Sequence, residues 1–151
     1  DRSNENLLQL ISGSESISLH IRRGDYVSNP VANQILGVCS NEYYKNSIHI
    51  VADKMTNPFF FVFSDDIQWA KSNLPIDYPV MFVEHNDINK EYEDFRLMQA
   101  CKYHIIANSS FSWWAAWLSS YPSKIVMAPQ RWFKDTSYDD RDLIPTSWTR
   151  V

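Results

Sequence analysis

The sequence predicts an α/β chain with a Rossmann-like, doubly wound parallel sheet. Short apolar runs of strand length alternate with longer amphipathic stretches. One run, Phe59-Phe60-Phe61-Val62-Phe63, is apolar at every position, as a strand covered by helices on both faces must be. Polar clusters rich in Arg, Asp, Asn and Ser follow several of the runs directly. In open parallel sheets, ligands bind in the crevice beyond the carboxyl ends of the strands, so these clusters fall where a site is expected.

Taken in order, residues 7–11 read as the end of a helix and residues 17–21 as a strand. In that strand Ile17, Leu19 and Ile21 alternate with His20, which therefore faces the other side of the sheet. Ser40 can cap a helix over 40–55, because Tyr44, Ile48, Val51 and Met55 recur at helical spacing. The 59–63 strand comes next. The unit then repeats as a helix over 66–74, a strand over 80–83, a helix over 92–102, a strand over 104–107, a helix over 111–120 and a strand over 124–128. Trp113, Trp114, Trp117 and Leu118 read as the packing surface of the 111–120 helix. Residues 26–39 and the charged tail after Pro129 are expected to be loops. Five strands joined by right-handed helical crossovers give the predicted sheet.

At 151 residues, 44% hydrophobic and 15% aromatic, the chain suits one core and one domain spanning 1–151. A net charge of −4 argues against a general nucleic-acid binder, so any phosphate site must be local. Cys39 and Cys101 lack metal-ligand spacing and are expected to be reduced thiols in a reducing cytoplasm. No apolar run approaches the roughly 18 to 20 residues of a membrane span, and the first residues do not resemble a signal peptide.

Three polar clusters carry the chemistry. In Arg22-Arg23-Gly24-Asp25, two guanidinium forks can match phosphate oxygens in pairs, and Gly24 permits a sharp turn or a close approach. Arg23 and Arg22 are candidate phosphate ligands. His20, two residues earlier, can order a phosphate or a guanidinium as a neutral imidazole, and it can equally be a satisfied core residue. Ser64-Asp65-Asp66 suits a helix cap; adjacent aspartates point different ways, so no metal site is expected there. Asn108-Ser109-Ser110 opens a helix whose free amides and positive dipole end favour a phosphate.

Four ordered blocks, His20-Ile21-Arg22-Arg23-Gly24-Asp25-Tyr26, Phe61-Val62-Phe63-Ser64-Asp65-Asp66-Ile67-Gln68-Trp69, Asp94-Phe95-Arg96-Leu97-Met98-Gln99-Ala100-Cys101 and Asn108-Ser109-Ser110-Phe111-Ser112-Trp113-Trp114-Ala115-Ala116-Trp117-Leu118, resemble the bacterial α-1,2-fucosyltransferase family, glycosyltransferase family 11. The resemblance implies one lobe of a GT-B type enzyme, without metal or other cofactor, that moves L-fucose from GDP-β-L-fucose to a galactoside hydroxyl with inversion. Carried over, Arg23, Asp25 and His20 are the catalytic candidates, with Asp25 as the base. His20, Arg22, Arg23, Ser64, Asp65, Asp66, Asn108, Ser109, Ser110 and Phe111 would bind GDP-fucose. Members of the family carry another lobe before the arginine motif, on the acceptor side. Here only residues 1–16 precede the first strand, so the chain resembles the donor lobe alone, with weak transfer or none expected. The implied partners are GDP-fucose, an oligosaccharide or glycan acceptor and the missing N-terminal lobe. Peripheral contact with the inner face of a membrane and self-association through uncovered apolar surface are further expectations.

Other classes fit less well. No Gly-x-Gly-x-x-Gly follows the first strand and the chain has only three glycines, which disfavours a nicotinamide oxidoreductase; a P-loop is missing too. A non-catalytic nucleotide-sugar- or carbohydrate-binding module would share the same phosphate residues and remains the alternative.

Overall fold

The computed structural model describes residues 1–151. Its centre is the parallel pair β1 (Glu15–Ile21) and β2 (Pro58–Ser64), in register from Glu15 opposite Pro58 to Ile21 opposite Ser64. Outward from this pair lie β3 (Val80–Phe82) on one side and β4 (Tyr103–Ile105), β5 (Val126–Ala128) and β6 (Thr149–Arg150) on the other. The order is β3-β2-β1-β4-β5-β6 and every pairing is parallel. Strand order reverses between β1 and β4, which is the topological switch point of a Rossmann-like sheet and the place where its crevice opens.

Alternation along β1 sends Ile17, Leu19 and Ile21 to one face, where they meet Tyr44, Ile48 and Val51 of α4 (Asn41–Ala52) and Ala70 of α5 (Ile67–Asn73). On the other face Phe61 and Phe63 of β2 pack with Leu7 and Ile11 of α1 (Arg2–Ser12), Leu97 and Met98 of α6 (Glu91–Ala100) and Ala115 of α7 (Ser110–Leu118). A third cluster, with Ile106, Trp132, Ile144 and Trp148, closes the β5–β6 end. The result is three layers, helix–sheet–helix. Local signals fix the helix starts: Ser40 accepts from the Tyr43 amide at 3.0 Å, and Asp66 accepts from the Trp69 amide at 3.1 Å. No helix is long and apolar enough to cross a membrane.

Several elements differ from the sequence reading. Residues 26–39 are not a loop: α2 (Gly24–Ser28) and α3 (Pro30–Ile35) occupy most of them, and neither buries a residue, so no apolar period marks them. Asn29 caps α3 by accepting from Val31 and Ala32, with Pro30 in the first turn. A sixth strand, β6, is only two residues long, too short for any pattern, and main-chain bonds from Gln130 to Val151 and from Val151 to Ala128 hold its end. Lys124 does not begin β5; its ammonium caps the C-terminus of α7, donating to the carbonyls of Ala116, Trp117 and Ser119 at 2.8–3.0 Å.

The tryptophans correct the expectation more strongly. Trp113 is packed and donates to the Leu143 carbonyl at 2.9 Å, but Trp114, Trp117 and Leu118 are 50%, 50% and 48% exposed. The small residues Ser112, Ala115 and Ala116 form the buried stripe of α7, letting the helix approach closely and displacing the bulky side chains outward.

His20 and His104 are both buried, and burial holds each imidazole down to about 3, with Arg22 and Lys124 as the respective secondary causes. The unfolded chain protonates these rings near the ordinary value while the fold keeps them neutral. Below about pH 6.5 the unfolded state therefore binds more protons, and stability should fall by about 1.4 kcal/mol per pH unit for each histidine. Urea unfolding at pH 7 and pH 5 checks this: a midpoint that drops on acidification, less steeply in His104→Gln, is expected.

Candidate functional site

The in-register ends of β1 and β2 set Arg22 and Arg23 beside Asp65 and Asp66. The Arg23 amide donates to Asp65 Oδ1 at 2.8 Å, and Arg22 Nε lies 3.4 Å from Asp65 Oδ2. Arg22 also donates to Asp25 Oδ1 at 2.7 Å, and its guanidinium carbon stands 5.1 Å from the Tyr26 ring centre. Arg23 Nε is 3.6 Å from Asp66 Oδ2, and its guanidinium lies over Trp69, 3.9 Å from the ring centre. Although these contacts neutralise charge, the buried Nε atoms of both arginines lack hydrogen-bond partners. Buried donors left in this state call for a ligand or a functional reason.

Gly24 makes the turn possible for a steric reason. A Cβ at this position would collide with Asp65 Oδ2. Its backbone dihedral is ordinary for any residue, so the close approach of Asp65 is what requires glycine here.

Across the switch point, β4 pairs with β1 and leads into Asn108-Ser109-Ser110. Asn108 is buried, and its Nδ2 lies within hydrogen-bond distance of three carbonyls, Leu36 at 3.0 Å, Gly37 at 3.2 Å and Trp132 at 3.2 Å. Its carbonyl accepts from Tyr26 Oη at 3.2 Å, which joins the arginine turn to the start of α7. Ser109 is the residue preceding α7, yet its side chain makes no capping bond; the hydroxyl and the first-turn amides stay available to an anion.

His20 lies between the two halves, its ring 5.7 Å from that of Phe111 and its Nδ1 without a partner. It is neutral across the physiological range. His20, Arg22, Ser64, Asp65 and Phe111 line a small cavity of about 100 Å³ together with Glu91 and Asp94. The structure thus draws His20, Arg22, Arg23, Asp25, Asp65 and Asp66 into one group, with Ser64 and Phe111 on the shared cavity and Asn108, Ser109 and Ser110 across the switch point. Asp66 divides its attention, since it also caps α5.

Asp94, Glu91 and Trp69 were not assigned a role from the sequence. Glu91 and Asp94 stand one helical turn apart in the first turn of α6, and Trp69 follows Asp66 by three; those spacings were the available signals. Asp94 Oδ1 accepts from Asn86 Nδ2 at 2.8 Å, Asn86 is bonded to the fully buried Asn4, and burial raises the Asp94 carboxyl. No three His, Cys, Asp or Glu side chains come together in a way that could hold a metal ion.

A parallel α/β lobe with a polar crevice at its switch point is the class these features define. The family model described as "Glycosyl transferase family 11" matches residues 3–151, and the chain belongs to that family. It is 44% identical over 149 residues to an alpha-1,2-colitosyltransferase of Escherichia coli, covering 96% of this chain and 50% of that protein. Over 124 residues it is 39% identical to the O-antigen biosynthesis glycosyltransferase WbnK of Escherichia coli, covering 82% and 41% respectively. Similarity reaches a mammalian protein, the galactoside 2-alpha-L-fucosyltransferase SEC1 of Bos taurus, at 28% over 108 residues, 70% of this chain and 29% of that one. The chain spans about half the length of the curated relatives it matches. No solved structure matches it.

Gly24→Ala should push Asp65 away and release the Arg23 amide. A stability loss of roughly 1–3 kcal/mol is expected from such overpacking, measured by chemical unfolding; an unchanged midpoint would mean the approach of Asp65 is not tight.

Proposed function

We propose that this chain is the donor-binding lobe of an inverting glycosyltransferase that transfers L-fucose from GDP-β-L-fucose to a galactoside hydroxyl in α-1,2 linkage. The observation that carries the reading is the pair of half-buried arginines at the end of β1, whose Nε atoms have no hydrogen-bond partner and which face the switch point with the free start of α7. As the fucosyl bond breaks, charge builds on the departing diphosphate. Fixed guanidinium groups and helix amides stabilise that charge more in the transition state than in the ground state, which is what accelerates the step. No metal is needed in this scheme.

The remaining residues take supporting parts. Neutral His20 adds a hydrogen-bonding nitrogen without adding repulsion next to Arg22. Ser109 and Ser110 donate hydroxyls to phosphate, and Asp65 holds the arginine turn. Asp94, oriented by Asn86, faces the small cavity and can accept from the N1–H and amino group of a guanine. Asp25 is the candidate base for the acceptor proton. Its pairing with Arg22 holds it near the phosphate site, and an oxocarbenium-like transition state would demand little of it. The acceptor, a glycan, and the companion lobe belong to the whole enzyme.

A colitosyl group is the second reading for the transferred sugar, favoured because identity to the E. coli alpha-1,2-colitosyltransferase, at 44%, exceeds the 28% to the galactoside 2-alpha-L-fucosyltransferase. Competition of GDP-fucose and GDP-colitose for one site decides between them.

Isothermal titration with GDP tests the site. Arg23→Ala should lose about 2 to 5 kcal/mol of affinity, because it removes one partner of a desolvated charge contact, while Lys54→Ala on the exposed surface should lose almost nothing. Equal losses would contradict the assignment. Asp94→Ala should narrow the preference for GDP over ADP.

A further inference from the structure

A second cavity, of about 470 Å³, lies beyond the carboxyl end of β5, within the about 300–1,000 Å³ common for small-molecule sites. Asn108 stands between it and the arginine turn: its carbonyl holds Tyr26, while its side chain faces the cavity and ties together the loops at Leu36 and Trp132. The two sites are neighbours that share a wall.

Two cations line this cavity, Arg131 and Lys134, and neither forms an ion pair. That sets Arg131 apart, since every other arginine except Arg2 is paired with a carboxylate. In a chain of net charge −4, two exposed cations on one concave surface, with no carboxylate within ion-pair distance of either, mark a local preference for an anion. Lys134 is also seated by the fold. Its ammonium donates to Asn33 Oδ1 at 3.2 Å, and its stem crosses Gly37, where φ is +63° and a Cβ would come within 3.1 Å of Lys134 Cδ. Gly37 therefore serves both the left-handed turn and the passage of the lysine. Leu36, Val38 and Phe133 supply apolar wall, and Gln130 and Asn33 supply polar groups. Such a lining suits a sugar ring, with apolar faces and hydroxyl edges, better than a bare inorganic ion.

We infer that this cavity is an acceptor-side subsite for a sugar carrying an oxyanion, a carboxylate or a phosphate, held by Arg131 and Lys134. Its role on the acceptor side rests on the donor reading above, because a cavity one residue from the phosphate site is where an incoming hydroxyl can be aimed; the anion preference itself does not. Carboxylate and phosphate share the chemistry of guanidinium recognition.

Amide NMR titration of the chain with galacturonate, galactose 6-phosphate and galactose tests it, with GDP titrated separately. The charged sugars should shift the amides of Gly37, Gln130 and Lys134, with galactose at least about ten-fold weaker, as the loss of a charge-assisted hydrogen bond implies. The double variant Arg131→Ala, Lys134→Ala should lose the preference and keep its affinity for GDP. The better of the two charged sugars identifies the oxyanion. Absence of any preference for charge, or an unchanged preference in the double variant, overturns the inference. Binding of GDP with no charged-sugar site would overturn this inference alone; a charged-sugar site without GDP binding would overturn the donor reading and leave the anion site standing.

Discussion

Everything at the candidate site depends on the carboxylate of Asp65. It accepts the Arg23 amide through Oδ1 and faces Arg22 Nε through Oδ2, and that Oδ2 lies where a Cβ at position 24 would collide with it. One carboxylate thus fixes the main chain of the turn and the direction of a guanidinium. It can do so because β1 and β2 run in register to their last residues, Ile21 opposite Ser64, so the two turns leave the sheet side by side. A slip of one residue would move His20 to the opposite face and separate Asp65 from the arginines.

The second constraint is Asn108. An amide with two hydrogens placed near three carbonyls holds the α3–α4 connection, the segment after β5 and the start of α7 around one point. Tyr43 works beside it, its hydroxyl 2.6 Å from the Ile106 carbonyl and 3.1 Å from that of Met127, bridging the ends of β4 and β5. These ties are buried and polar, so each is costly to leave unmade. They shape the crevice on the β4–β5 side just as Asp65 shapes it on the β1–β2 side. The arginine turn and the cationic cavity share one carboxyl edge, shaped by Asp65 on one side and by Asn108 and Tyr43 on the other.

The sheet was legible in the sequence because its strands carry strong patterns: continuous apolar character in β2, and in β1 the alternation that correctly separated His20 from Ile17, Leu19 and Ile21. Caps at Ser40 and Asp66 were legible for the same reason, a polar side chain immediately before a helical period. What escaped was either short or non-local. β6, α2 and α3 bury too little to leave a period. The exposure of Trp114 and Trp117 follows from the small residues of α7 rather than from anything at the tryptophans themselves. At the site, the arginine turn announced itself through local composition, whereas Asp94, Trp69, Arg131 and Lys134 reach the crevice only through tertiary contacts between segments far apart in sequence.

The most direct measurement of the central claim is calorimetric titration of the chain in EDTA with GDP, GMP and guanosine. If the arginine turn and the start of α7 form a metal-independent diphosphate site, GDP binds most tightly and each lost phosphate weakens binding, with no change when magnesium is added. Equal affinities for GDP and GMP, or binding that appears only with magnesium, would contradict that account.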